Sequence, residues 1–226
     1  MKVKVVMPWR PSASRLPGFE WVCGYYKHRL GSDCIHISPG PKGPFNRAKA
    51  INDGVRQYPG HVIIIGDADC FLCDSLLQRA IDEIDDYQMI IPHNRFCKTT
   101  PSQKRWLLGR SPEQPVSDRW FRKRRSRMAQ AGIWVVTHDF FMDDPMDERF
   151  HGWGCEDTEY LRRVESRRLR GTLFHIHHKR PSKRYYRRNK NLHRSIIREE
   201  MLLDEGDNLE AEERPSQDCE NDQGLS

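Results

Sequence analysis

No run of apolar residues in this 226-residue chain approaches the length of a membrane span, and the N-terminal "MKVKVVMPWR" lacks the apolar stretch of a signal peptide. A cytoplasmic protein without a membrane span is the expectation. Cysteine occurs seven times, an odd number without regular spacing, which excludes a disulfide framework and points to a reducing compartment. The one CxxC, Cys70 to Cys73, has no second pair, so two core cysteines are a better reading than a zinc site. No internal repeat is visible. Acidic residues are scarce in most of the chain: before Glu199 there are 37 basic and 21 acidic side chains, a formal charge of +16. From Glu199 to Ser226 the balance inverts, with eleven acids and one base, Arg214. The basic body expects a polyanionic ligand such as nucleotide phosphates, nucleic acid or an acidic surface, although cations that merely solvate a surface give the same count. The acidic segment 199–226 has few apolar residues and is expected to be a disordered tail that screens the body.

What is present suits one folded domain, residues 1–198: 37% of the chain is hydrophobic and 31% charged. "VKVVM" from Val3, "CIHIS" from Cys34, "HVIIIG" from His61 and "YQMIIPHN" from Tyr87 read as strands. Between them, Leu16–Leu30, Phe45–Tyr58 and a stretch opened by Asp74 as N-cap read as helices. This alternation predicts an α/β, Rossmann-like domain, with a mainly parallel sheet and helices on both faces. Residues 95–127 break the rhythm with eleven basic and two acidic residues. They read as a long functional loop with a short helix. "AGIWVVTHD" and "GTLFHIHH" return to strand, "FHGWGCEDTEYL" reads as a glycine-rich turn entering a helix, and 179–198 as a basic, partly helical segment.

The chemistry gathers at "VIIIGDADCFL". In an open α/β sheet ligands sit beyond the carboxyl ends of the strands, where Asp67 and Asp69 stand with their side chains on the same side. Two such carboxylates repel unless a cation lies between them. Beside phosphates, that cation is most naturally a divalent metal. A lone DxD is more often an ordinary turn. Here, however, Trp153 among glycines precedes Glu156 and Asp157, and "HIHH" supplies His175, His177 and His178 at a strand end, where imidazole commonly partners carboxylate around a metal.

"FNRAKAIN" from Phe45, "DAD" from Asp67 and "GWGCED" from Gly152, in this order, resemble the GT-A glycosyltransferases, in particular the β-1,4-galactosyltransferase and family 2-like enzymes with bacterial and phage relatives. The resemblance spans roughly Val3 to Pro181. It implies a GT-A-like fold, a nucleotide-sugar donor, most naturally UDP-linked, a divalent Mn²⁺ or Mg²⁺ ion, and a bacterial or phage-infected host cell. By position, Pro8, Trp9 and Arg10 would meet the nucleotide, while Phe45 and Arg47 would touch base and phosphates. Asp67, within the Asp67–Ala68–Asp69 motif, would hold ribose or assist the metal. Asp69 would ligate the metal with His175 and His178, His177 being the weaker candidate. Ala131 and Gly132 would line the sugar site, Trp153 would pack on sugars, Glu156 would bind acceptor hydroxyls, and Asp157 would be the general base. Cys155 stands where the family often has glycine, which leaves acceptor preference open.

The expected activity is thus a metal-dependent, inverting glycosyl transfer to a hydroxyl on a glycan, a protein or a modified DNA base. Two other classes remain. Arg119–Arg127 and Lys179–Lys190 interleave cations with aromatics, as in a nucleic-acid-binding module. A sugar-nucleotide-binding or nucleotidyl-transfer enzyme of related fold would share the sheet but not the chemistry.

Overall fold

Val62–Gly66 is buried at every residue, as expected of a β-branched run covered on both faces. It is the third strand, β3, of a six-stranded sheet. The computed structural model describes residues 2–117, 119–121, 125–127, 130–179 and 184–212; at 125–127 and 204–212 only the backbone is described. In chain order the elements are β1 (Val3–Pro8), α1 (Leu16–Leu30), β2 (Ile35–Ser38), α2 (Arg47–Val55), β3, β4 (Cys70–Phe71), α3 (Asp74–Asp82), α4 (Ile84–Tyr87) and β5 (Met89–Ile91). There follow β6 (Arg95–Lys98), α5 (Pro101–Leu108), β7 (Arg125–Arg127), β8 (Ile133–Thr137), α6 (His138–Asp143), α7 (Glu156–Arg163), β9 (Arg167–Arg168), β10 (Thr172–His175) and α8 (Tyr186–Glu212).

The large sheet has the order β2-β1-β3-β8-β5-β9, and a second sheet has β4-β10-β6-β7. β1 pairs in parallel with β2 and β3, whereas β8 lies antiparallel between β3 and β5. Strand alternation sorts the core. Val62 and Ile64 face a cluster with Tyr25 and Tyr26 of α1, while Ile63 and Ile65 face one with Ala48 and Ile51 of α2 and Tyr160 of α7. The helices therefore cover both faces, in an α/β, GT-A-like layout.

Local chemistry sets the boundaries. Pro17 opens α1 and Gly31, at φ +97°, closes it. The Asn46 side chain caps α2 by accepting from Lys49 N at 2.8 Å. At Gly54 a Cβ would come within 2.5 Å of Val6 Cγ1, so this glycine lets α2 press onto β1.

Three expectations change. The stretch 95–127 contains the expected short helix, α5, under a Thr100–Gln103 capping box, but the segment before it is not loop: β6 joins the second sheet. Cys73, not Asp74, is the N-cap residue of α3; Asp74 starts the helix and pairs with Arg29 at 2.7 Å. The backbone remains helical past Glu199 as far as Glu212, where a structureless tail was expected. Residues 213–226 lie outside the described set.

Candidate active site and metal centre

After β1 the chain turns to β2 on one side, and later returns as β3 on the other. The carboxyl ends of β1 and β3 thus flank a topological switch point, where ligands bind in open α/β sheets. Asp67–Asp69 is the turn between β3 and β4. Gly132 O accepts from Asp67 N at 2.7 Å, and Asp67 O accepts from Cys70 N at 3.0 Å. β4 pairs antiparallel with β10, with His175 opposite Cys70, and Ile176 N donates to Asp69 O at 2.8 Å. This register carries "HIHH" to Asp69 across more than a hundred residues.

The result is a compact donor set. Asp69, with a side chain 6% exposed, has His178 Nε2 at 3.1 Å from Oδ2 and His175 Nε2 at 3.6 Å from Oδ1. The two imidazole Nε2 atoms are 3.3 Å apart. Ligands around one ion at bond lengths near 2.1 Å lie about 3.0–3.4 Å from each other, so the spacing fits a single metal. His178 Nδ1 lies 2.6 Å from Lys179 O, an outer partner that directs Nε2 to the cluster. Burial alone would raise the pKa of Asp69, but the His178 hydrogen bond and the charges of His175 and Arg15 outweigh it and hold the carboxyl well below its usual range. Burial lowers His175, favouring the neutral imidazole that can ligate, while Asp69 opposes this. Cys70 also adjoins Asp69 and His175. Burial, then the Asp69 charge, keeps it a thiol, a poor ligand.

A second pole is built by Arg47. Its Nε and Nη2 donate to Asp67 Oδ1 at 3.0 and 2.8 Å. Burial would lower its pKa, but the charges of Asp67, Glu156 and Asp157 more than reverse this. Glu156 and Asp157 open α7 behind Cys155, whose φ is +76°. Glu156 accepts from Gly154 N at 3.0 Å, and Asp157 from Thr158 N at 2.9 Å. Both carboxyls are pushed up. Burial is the chief cause for each; Asp157 adds to it for Glu156, and Arg47 opposes it in both.

The rim holds Arg10, Phe45 and Trp153. Arg10 donates to Pro39 O at 2.9 Å and Gly43 O at 2.6 Å, also reaches Pro41 O, and lies over the Phe45 ring. It therefore braces the 39–43 loop. Phe45 O accepts from Gly152 N at 2.7 Å, tying the segment before α2 to the glycine turn. Trp153 is 47% exposed and stacks on Tyr186 with centroids 5.4 Å apart.

Several expected residues lie in the packing around the site. Pro8 and Ala68 are buried. Trp9, expected to meet a nucleotide, is 4% exposed, packed flat on Phe19 and covered by Arg15. Its ring belongs to the core cluster that β1 and α1 form with Met7, Trp21 and Val22. At Gly132, φ +119°, a Cβ would fall 2.2 Å from Leu173 Cδ2, so it packs β8 against β10. His177 gives its backbone N–H to Thr99 Oγ1 at 2.8 Å.

Two contributors escaped the sequence reading. Arg15 Nη2 lies 2.7 Å from Asp69 Oδ2; a lone arginine after "PSAS" forms no motif. Asn189 of α8, fully buried, donates to His151 O and Gly154 O, both at 2.9 Å, and fixes the Trp153 turn. Its only signal was an amide inside a basic helix. Residues 122–124 and 180–183, within the two basic patches, lie outside the described residues. Among the described residues, no helix is long and apolar enough to cross a membrane.

Comparison with curated proteins finds no match. Among solved structures, a Drosophila β1,4-galactosyltransferase 7 variant in complex with manganese, UDP-Gal and xylobiose is similar, at 19% identity and TM-score 0.46, over 82% of this chain and 73% of that one. S. aureus TarS with UDP-GlcNAc matches at 14% identity and TM-score 0.46, over 80% of this chain and 60% of that one. Bifunctional IspDF from Campylobacter jejuni matches at 10% identity and TM-score 0.42, over 76% and 50%. The model of the family "Glycosyl transferase family 2" matches residues 23–150. That span holds Arg47, Asp67, Asp69 and Gly132, and ends before Trp153, Glu156, Asp157 and the histidines. It is more than half of the chain, and the protein belongs to glycosyl transferase family 2.

Proposed function

We propose that this family 2 glycosyltransferase moves a sugar from a UDP-sugar to a glycan or protein hydroxyl with inversion, using a divalent ion held by Asp69, His175 and His178. The observation that carries the reading is the convergence of those three side chains at 3.1–3.6 Å beside the β1/β3 crevice. Because Mg²⁺ prefers oxygen ligands, the two imidazoles favour a transition-metal ion such as Mn²⁺ over Mg²⁺. When bound, such an ion neutralises the charge that grows on the departing diphosphate.

The chain's own residues supply the rest. Asp157 takes the proton of the acceptor hydroxyl as that oxygen attacks the anomeric carbon. The bond from that carbon to the diphosphate oxygen breaks on the opposite face, and UDP departs with the electron pair. One displacement inverts the configuration. The raised pKa of Asp157 makes it a stronger base than an ordinary aspartate, and such catalysis contributes about 10²–10⁴-fold. Arg47 offsets the charge of the Glu156–Asp157 pair and orients Asp67 toward the donor ribose. Glu156 orients the acceptor. The exposed Trp153 ring offers an apolar face to a sugar, which favours a glycan acceptor. A screen of UDP-sugars for hydrolysis with and without Mn²⁺, followed by mass spectrometry of candidate acceptors, tests this reading. Mn²⁺-stimulated release of UDP from at least one donor is expected; no release from any would count against it.

A further inference from the structure

Asp69 Oδ2 has two cationic or proton-bearing partners at once: His178 Nε2 at 3.1 Å and Arg15 Nη2 at 2.7 Å. An ion held through that oxygen would lie within a few ångströms of the guanidinium, and two positive charges so close repel strongly in a buried setting. The arginine is the movable member, its side chain 34% exposed against 6% for Asp69. Its Nε is buried without a hydrogen-bond partner, so this position leaves the guanidinium incompletely satisfied. Its Cζ lies over the Trp9 ring, 5.1 Å from the centroid, and Trp9 is itself stacked on Phe19 at 4.6 Å, so an apolar surface supports the side chain while its charged end turns.

We propose that Arg15 is a built-in counter-cation: it competes with the ion for Asp69 Oδ2 and turns to the donor diphosphate once the ion is bound. This rests on the metal-site reading above. The segment from β1 to α1 carries Arg15 to Asp69 at the carboxyl end of the sheet, where the guanidinium would be available to a donor diphosphate. The same arginine thus disfavours the metal alone and favours metal with nucleotide, which makes loading ordered. Coupling of this kind requires differential contacts in the two states.

The test is calorimetric titration of wild type and Arg15→Gln with Mn²⁺ alone, then with UDP in saturating Mn²⁺, with urea unfolding midpoints as the control for folding. Removing the competing charge is expected to tighten Mn²⁺ alone by about 2–5-fold. Losing a charge-assisted phosphate contact is expected to weaken UDP by about 10-fold. A purely structural arginine would move both affinities the same way or neither, and that result overturns the inference while leaving the metal site standing. Absence of Mn²⁺ binding to wild type, with and without UDP, overturns both.

Discussion

Arg47 donates two hydrogen bonds to one oxygen of Asp67, from Nε at 3.0 Å and Nη2 at 2.8 Å, and its charge is also felt by Glu156 and Asp157. A single guanidinium from α2 therefore serves three carboxylates that enter from the end of β3 and the start of α7. Removing it leaves those carboxylates uncompensated. Arg47→Met is expected to destabilise the fold by about 3 kcal/mol, read from urea unfolding. A change below about 0.5 kcal/mol would mean that water already screens these groups.

Asp157→Asn keeps the side-chain shape and removes its basicity. UDP affinity should persist while transfer falls by about 10²-fold or more. Near wild-type transfer would move the base to another group, Glu156 first.

The raised carboxyls give a signed pH dependence. Burial lifts Glu156 above the unfolded value, so protonation favours the folded state at low pH, and holding the charge costs stability once pH rises above the unfolded pKa. Glu156→Gln can still accept the Gly154 N–H. It should raise stability on the order of 1–3 kcal/mol at pH 8 and little at pH 4. Equal effects at both pH values would remove the electrostatic explanation. For Asp157, raised in the same direction, the acid limb of kcat/KM should lie above the range of an ordinary aspartate. For Asp69 the sign is opposite: its stabilisation is present above the unfolded pKa and is lost as pH falls toward the depressed folded value.

Much of this was legible in the sequence for specific reasons. Pro17 and Gly31 bracket α1, so its span reads directly as Leu16–Leu30. The Asp67–Asp69 turn is marked by the β-branched run before it. The antiparallel course of β8 was not legible, because a buried strand has the same apolar pattern in either direction. β6 was hidden because "RFCK" puts one cation on each face of the strand, Arg95 beside Cys97 and Lys98 beside Phe96, so no apolar alternation shows. Arg15 and Asn189 act across 54 and 35 residues, at positions where local pattern carries no signal. The histidines were visible as residues, but only the β4–β10 register brings His175 to Asp69.

The basic excess makes a separate prediction. With a glycan or protein acceptor, acceptor KM should change little between 50 and 200 mM salt; a polyanionic acceptor would lose about 10³–10⁵ in affinity over the same range. Arg122, Lys123, Arg124 and Arg125 to Gln should then leave acceptor KM unchanged. A large rise in that variant would favour nucleic acid.

The most direct measurement is the affinity of UDP with and without Mn²⁺, by calorimetry, in wild type and in Asp69→Asn. Asp69 is the residue on which His175, His178 and Arg15 converge. Wild type is expected to bind UDP at least about 10-fold tighter in Mn²⁺, and Asp69→Asn, still folded, to lose that gain entirely. An equal Mn²⁺ gain in the variant, or no gain in wild type, would contradict a metal centre at this carboxylate.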